Sequence, residues 1–400
     1  MNTWLIKNAK VITPDGVIDG GSVWVEDGDI REVGRMTEDA GWEGRGGETR
    51  EEGLREVQIL DADGAYVMPG IIDIHTDAMD AEIVPRTGAD IPIAVAFNEL
   101  ERKMCACGIT TVFHSLHLGY EHAEDLSRSK YSREEVFREV KRAASGPTLI
   151  HNKIHLRFEV CGVESYDQCL DLMRNGYVDL LSVMDHTPGQ GQIRKEYYKK
   201  YLLMQGKSQD QMDQLLEERL SWPKVEGEML QGMVDVAKEL NIPVASHDDD
   251  TIAKVDEMIA LGVDISEFPI NMETAEYATR MGLYVAGGAS NVLRGGSLSG
   301  NLDMTEAIRE RVVGLLCSDY YPAAILHSIF KLHLEYGMPL NDAVNLATLH
   351  PAESVGLDVE TGSLEHGKRA DLVVVRLRGS LPVVAKVMVN GKWVMETNTK

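Results

Sequence analysis

Residues 3–35 alternate apolar and polar positions in short runs, WLIKNAKVIT, SVWVEDGDI and REVG, separated by Asp-Gly and Gly-Gly pairs. Period-two alternation broken by such pairs predicts antiparallel hairpins. The tail, DLVVVRLRGSLPVVAKVMVNGKWVM, follows the same rule with Asn390 and Gly391 as its turn. Short strands need partners to be stable, so residues 1–67 and 361–400 are expected to build one small composite β-sandwich domain from both termini. The stretch 36–56 is rich in Gly, Glu and Arg and poor in large apolar residues, which predicts an exposed loop.

Between residues 68 and 360 apolar runs alternate with helical stretches, the pattern of βα units around parallel strands. Strands are predicted at 71–75, 108–116, 154–160, 180–184, 243–246, 265–267, 283–286 and 314–317. Helices are predicted at 93–107, 133–145, 209–238, 250–261, 272–281 and 321–335. Eight strands in this alternation predict an α/β fold, a (β/α)8 TIM-like barrel over 68–360 whose active site lies at the C-terminal strand ends.

That geometry turns the strand ends into the place to look for chemistry. The run YVMPGIIDIHTDAMD is apolar until it delivers His75 and Asp77, which period-two spacing sends to the same side. Glu159 ends HLRFEV, His186 ends LLSVMDH, His247 ends VASH and Asp319 ends LLCSDY. Each has a plain alternative as a cap or a hydrogen-bonded loop residue. Together, imidazoles and carboxylates from separate strand ends make the complement expected for two divalent ions sharing a bridging carboxylate, with zinc first and manganese or iron as alternatives. Glu159 is favoured as the bridge because it is ionised at neutral pH, whereas Lys153 bridges only after carboxylation. Asp248, Asp249 and Asp250 follow His247; one is a candidate to orient an imidazole, although beginning the next helix is their simpler role.

A second cluster is GGASNVLRGGSLSGN, residues 287–301. Repeated Gly lets backbone amides approach an anion, and Ser290, Asn291, Arg294, Gly295, Gly296 and Ser297 supply donors for a phosphate cradle. A flexible barrel loop is the equally weighted alternative. Arg157, two before Glu159 on the same strand face, and His114 and His117 after TTVF are further candidates for the mouth.

Composition narrows the partners. With 40 basic against 64 acidic residues the net charge is -24, which excludes general affinity for nucleic acid or an anionic membrane surface but not an anionic small molecule. No apolar run approaches the roughly 20 residues of a membrane span. The opening MNTWLIKNAKVITPDG lacks a signal-peptide core, so a cytoplasmic protein is expected. Five cysteines in a chain of this size read as reduced thiols. A homo-oligomer is compatible with the sequence, and no residue singles out an interface.

These residues resemble the amidohydrolase superfamily. The resemblance runs through ADGAYVMPGIIDIHTD, the later His186, His247 and Asp319, and the closing HPAESVGL and GSLEHGKRADLVVV. The departure is His75-Thr76-Asp77 where the superfamily usually has H-x-H. DIHTDAMDAEIVPR, ITTVFHSLHLG, MDHTPGQGQ, ASHDDDT and SNVLRGGSLSGN are similar to its phosphonate-utilisation branch. That implies hydrolysis of α-D-ribose 1-methylphosphonate 5-triphosphate to the 5-phosphate and diphosphate, with Asp319 as proton acceptor. Two rivals remain: hydrolysis of a C-N bond in an amide, cyclic amide or amidine, and a metal-free scaffold without activity.

Overall fold

The computed structural model describes residues 3–36, 57–119, 129–193, 195–204, 206–297 and 300–397. The expected loop at 36–56 therefore lies, apart from Met36, outside the described residues. The N-terminal alternation becomes β1 (Thr3–Thr13), β2 (Gly16–Glu26) and β3 (Asp29–Gly34), followed by β4 (Val57–Asp61) and β5 (Tyr66–Pro69).

A Pro-Gly step then starts the barrel. A Cβ on Gly70 would lie 1.9 Å from Thr110 Oγ1, so glycine alone lets this junction pass against the neighbouring strand. The barrel strands are β6 (Ile71–Thr76), β7 (Ile109–Leu118), β8 (His151–Glu159), β9 (Leu180–Met184), β10 (Val244–His247), β11 (Ile265–Glu267), β12 (Tyr284–Gly288) and β13 (Leu315–Cys317). They pair in parallel in strict sequence order. Alternate residues such as Ile74, Phe113, Leu180, Ala245 and Ile265 fill the barrel interior, while the opposite faces pack under the helices.

The tail forms β14 (Leu372–Arg378), β15 (Leu381–Val389) and β16 (Lys392–Glu396). These join the N-terminal strands in one hydrogen-bonded mixed sheet, in the order β16-β15-β14-β5-β1-β2-β3 with β4 beside β1. The composite domain is thus built from both ends of the chain, and β14 pairs antiparallel with β5 directly before the barrel begins.

Several helical expectations change. The predicted helix at 209–238 is two helices, Gln209–Leu220 and Glu228–Glu239. Pro223 lacks an amide donor and Gly227 adopts φ +56°, and the turn they create resets the direction. A helix Lys195–Met204, absent from the predicted set, precedes the pair.

Candidate active site

The barrel closes at the seam between β6 and β13, and that closure places the first group of polar side chains. The Asp319 amide donates to the His75 carbonyl at 3.0 Å, and the Asp77 amide donates to the Asp319 carbonyl at 2.7 Å. Backbone bonds thus clamp the first and last strands where His75, Asp77 and Asp319 emerge, and ligand-capable atoms of these three lie within 4.8 Å of one another. The turn that follows is tight: Asp319 adopts φ +61°, as Asp248 and Phe268 adopt φ +56° directly after β10 and β11. Left-handed conformations at non-glycine residues cost on the order of 1–3 kcal/mol each and gather where function overrides local preference.

His75 is buried, and its Nδ1 donates to Glu267 Oε1 over 3.0 Å. Glu267 Oε2 accepts from Ser182 Oγ at 2.9 Å. A carboxylate on Nδ1 fixes the tautomer and leaves the Nε2 lone pair available; Nε2 stands 3.9 Å from Asp77 Oδ1. Burial pushes the Glu267 carboxyl up, but the His75 and His155 imidazoles outweigh it and hold the group far below the usual carboxylate range.

His247 connects this group to the next. It belongs both to the set with His75 and Glu267 and to a set with His186 and Asp248, each with ligand-capable atoms within 4.8 Å. Its ring centroid lies 5.6 Å from that of His75 and 5.7 Å from that of His186. Glu159 holds His186 in place: Oε1 accepts from the His186 amide at 3.0 Å and Oε2 from Nδ1 at 2.7 Å. His186 Nε2 then stands 3.9 Å from Asp248 Oδ2. Burial lowers the His247 pKa, but the adjacent Asp248 carboxylate outweighs it and raises it; Asp248 is correspondingly lowered against its own burial.

Cationic side chains meet carboxylates at the rim. Arg157 Nη1 donates to Asp77 Oδ1 at 2.5 Å. Arg133 donates through Nη1 to Asp80 Oδ1 at 3.2 Å and through Nε to the His117 carbonyl at 2.7 Å. His117 pairs in register with Arg157 across β7 and β8. Burial pushes Asp77 up, yet Arg157 and His75 bring it below the usual range, whereas burial leaves Asp319 raised.

The donor chemistry fits divalent cations. Imidazole nitrogen with carboxylate oxygen suits zinc, manganese or iron. Buried polar atoms without hydrogen-bond partners occur here, including Asp248 Oδ2 and His155 Nε2. His155 Nδ1 lies 3.1 Å from the Ile74 carbonyl and donates to it. Nε2 is then an acceptor, 3.9 Å from Glu267 Oε1, and burial lowers the His155 pKa to about 3, keeping the ring neutral.

Several expected roles change. Lys153 lies near the opposite end of β8 from Glu159, its Nζ bound to Asp179 Oδ1 at 3.1 Å, and it does not reach the cluster as an alternative bridge. Glu159 is engaged by His186, and the residue common to both histidine sets is His247. Gly295 and Gly296 do not offer free amides: residues Ala289–Arg294 form a short helix, and both glycine N–H groups cap it by donating to the Asn291 carbonyl at 3.1 and 3.0 Å. Ser290 is buried in that helix, Asn291 is half-buried, and Arg294 is exposed at its end. Within this loop Ser297 lies beyond the cap. His114 packs on the Phe97 ring, 5.7 Å between centroids, on the helix side of the barrel wall.

Asp248–Asp250 do not begin the next helix, whose N-cap is Thr251. Asp249 instead accepts from Ser246 and Ser266, and Asp250 from the Gly191 amide. Glu267 and His155 are the members that sequence reasoning passed over. Glu267 ends a predicted strand, the same signal that selected His247.

Comparison with known proteins agrees with this arrangement. Residues 221–394 match the model of the amidohydrolase family. The chain is 33% identical to the α-D-ribose 1-methylphosphonate 5-triphosphate diphosphatase of Escherichia coli (strain K12), over 97% of this chain and 99% of that protein. The chain belongs to the amidohydrolase family. Solved structures share the fold: N-acetylglucosamine-6-phosphate deacetylase from Pasteurella multocida has a TM-score of 0.57 at 16% identity, covering 98% of this chain and 99% of that one. Ochratoxinase of A. niger has a TM-score of 0.63 at 17% identity, covering 98% and 95%. This family member is a hydrolase.

Proposed function

We propose that the chain is a metal-dependent diphosphatase of phosphonate catabolism, hydrolysing α-D-ribose 1-methylphosphonate 5-triphosphate to the 5-phosphate and diphosphate in the cytoplasm. The observation that carries the reading is the end-to-end similarity to the Escherichia coli diphosphatase. The site supports it, because two arginines stand at a mouth lined by histidines and carboxylates in an otherwise acidic chain. Among the described residues no helix is long and apolar enough to cross a membrane.

His75, Asp77, His186, His247 and Asp319 would hold two divalent ions, zinc first, with Asp248 and Glu267 beside them and Glu159, expected from sequence as a ligand, instead orienting His186. When bound, such ions supply an acidified water and offset phosphoryl charge. Asp319 would accept the proton of the attacking water, a role that the upward push of burial on its carboxyl favours. Arg157, with His117, Ser290, Asn291 and Arg294 as further contacts, would meet the phosphoryl oxygens. Water oxygen joins the phosphorus nearest the ribose, the bridge to the second phosphorus breaks, and diphosphate leaves.

Turnover of the ribose triphosphate in 18O-labelled water tests this. Diphosphate release with label in the 5-phosphate supports the reading. Label confined to diphosphate overturns the site of attack. Ammonia or carboxylate released from amide substrates, with no diphosphate from the triphosphate, overturns the reaction.

A further inference from the structure

We propose that Asp77 is exchanged between two cations: Arg157 holds it in the metal-free chain, and a divalent ion that takes Asp77 releases the Arg157 guanidinium to bind a phosphoryl oxyanion. The inference rests on the reading of this mouth as metal-dependent and adds that anion binding is conditional on metal.

The geometry makes one carboxylate the object of both claims. Asp77 Oδ1 accepts from Arg157 Nη1 at 2.5 Å and also stands 3.9 Å from His75 Nε2, inside the set with His75 and Asp319. An ion coordinated there and a guanidinium on the same oxygen would put like charges side by side, so the two claims on Asp77 compete.

Arg157 is built to let go. Its other hydrogen-bond contact is Nε to Met184 Sδ at 3.1 Å, a weak acceptor. Its side chain keeps 14% of its surface open, and the nearby Glu267 and Asp319 charges favour a cation staying at the mouth. Arg133 differs. It is 8% exposed and pinned at two points, the Asp80 carboxylate and the His117 carbonyl, so it serves as a fixed charge rather than an exchangeable one.

Full-length protein stripped of metal, titrated calorimetrically with inorganic diphosphate, provides the test, with thermal melts checking the fold of each variant. Asp77→Asn removes the carboxylate charge that holds Arg157, without any metal, and is expected to bind diphosphate about ten-fold tighter than the wild type, the scale of one charge-assisted hydrogen bond. Asp319→Asn removes the same charge from the cluster but no Arg157 partner, and is expected to gain much less. Adding Arg157→Met to Asp77→Asn is expected to abolish the gain. Equal gains in the two single variants, no gain in Asp77→Asn, or a gain that survives Arg157→Met overturns the proposal.

A second readout uses metal alone. Arg157→Met is expected to bind Mn2+ more tightly than the stripped wild type in a spin-resonance titration, since Asp77 is no longer held; unchanged or weaker binding overturns the exchange. Both readouts are independent of turnover. A chain that passes them and releases no diphosphate from the ribose triphosphate refutes the proposed substrate and retains the exchange.

Discussion

Asp319 joins two properties at one residue: its backbone closes the barrel seam and its carboxyl, raised by burial, faces His75 and Asp77. Asp319→Asn preserves the seam, because Asp319 contributes to it only through its backbone atoms, and removes the proton acceptor. Turnover is expected to fall about 10²–10⁴-fold while metal content by elemental analysis stays nearly intact; near-normal turnover would remove Asp319 from the chemistry. Glu267 acts one step back from the mouth, through His75. Glu267→Gln weakens the bond that fixes the His75 tautomer, and a loss of about 10–100-fold in cation affinity is expected, measured by competition with a chelator. Because strand ends are legible from apolar periodicity, the sequence singled out imidazoles and carboxylates there, several of which the fold gathers. It did not disclose Glu267, whose partner His75 lies 192 positions away, since periodicity gives a direction to a side chain but not the neighbour it meets across a barrel.

At the scale of elements, the seam uses a side chain where a strand ladder falls short. The Ser318 amide donates to Asp73 Oδ1 at 3.0 Å, and burial pushes the Asp73 carboxyl from its ordinary 3.8 to about 6. The folded state then holds this proton more tightly than the unfolded chain. Its contribution is fully favourable below the unfolded value and is lost as pH rises through about 6. Asp73→Asn cannot ionise, so its stability relative to the wild type is expected to rise between pH 4 and pH 7, on the order of 2–3 kcal/mol. Urea unfolding of metal-free protein across that range checks it, and a flat difference would show that Asp73 does not titrate at the seam. Other elements show where sequence reading stops. The glycine-rich stretch has the composition of an anion cradle, yet a six-residue helix folds inside it and captures the amides of Gly295 and Gly296. The stretch 209–238 has enough helix formers to read as one element, and Pro223 and Gly227 divide it.

At the scale of the molecule, the sheet and barrel are tied through Asp371. This buried carboxylate accepts from Arg369 Nε at 2.6 Å and from the Asn390 amide at 2.8 Å, and lies 3.2 Å from Nε2 of His151, which opens β8. The Asp371 carbonyl also accepts from the Gly70 amide at 2.9 Å, where the sheet passes into the barrel. Asp371→Ala is expected to lower stability by about 3–5 kcal/mol, the scale of breaking a buried ion pair, and to shift a single calorimetric transition. Two separated transitions in the wild type would mean that the sheet and the barrel unfold independently.

The seam has one more consequence, for the order in which the protein matures. His75 and Asp77 leave the first barrel strand and Asp319 the last, so in a chain emerging from the ribosome this group of three cannot assemble until the final barrel strand has left the exit tunnel and turned back onto the first. Under the proposed metal dependence, this part of the grip would be completed only late in synthesis, when the Asp319 carboxylate joins the histidines already made.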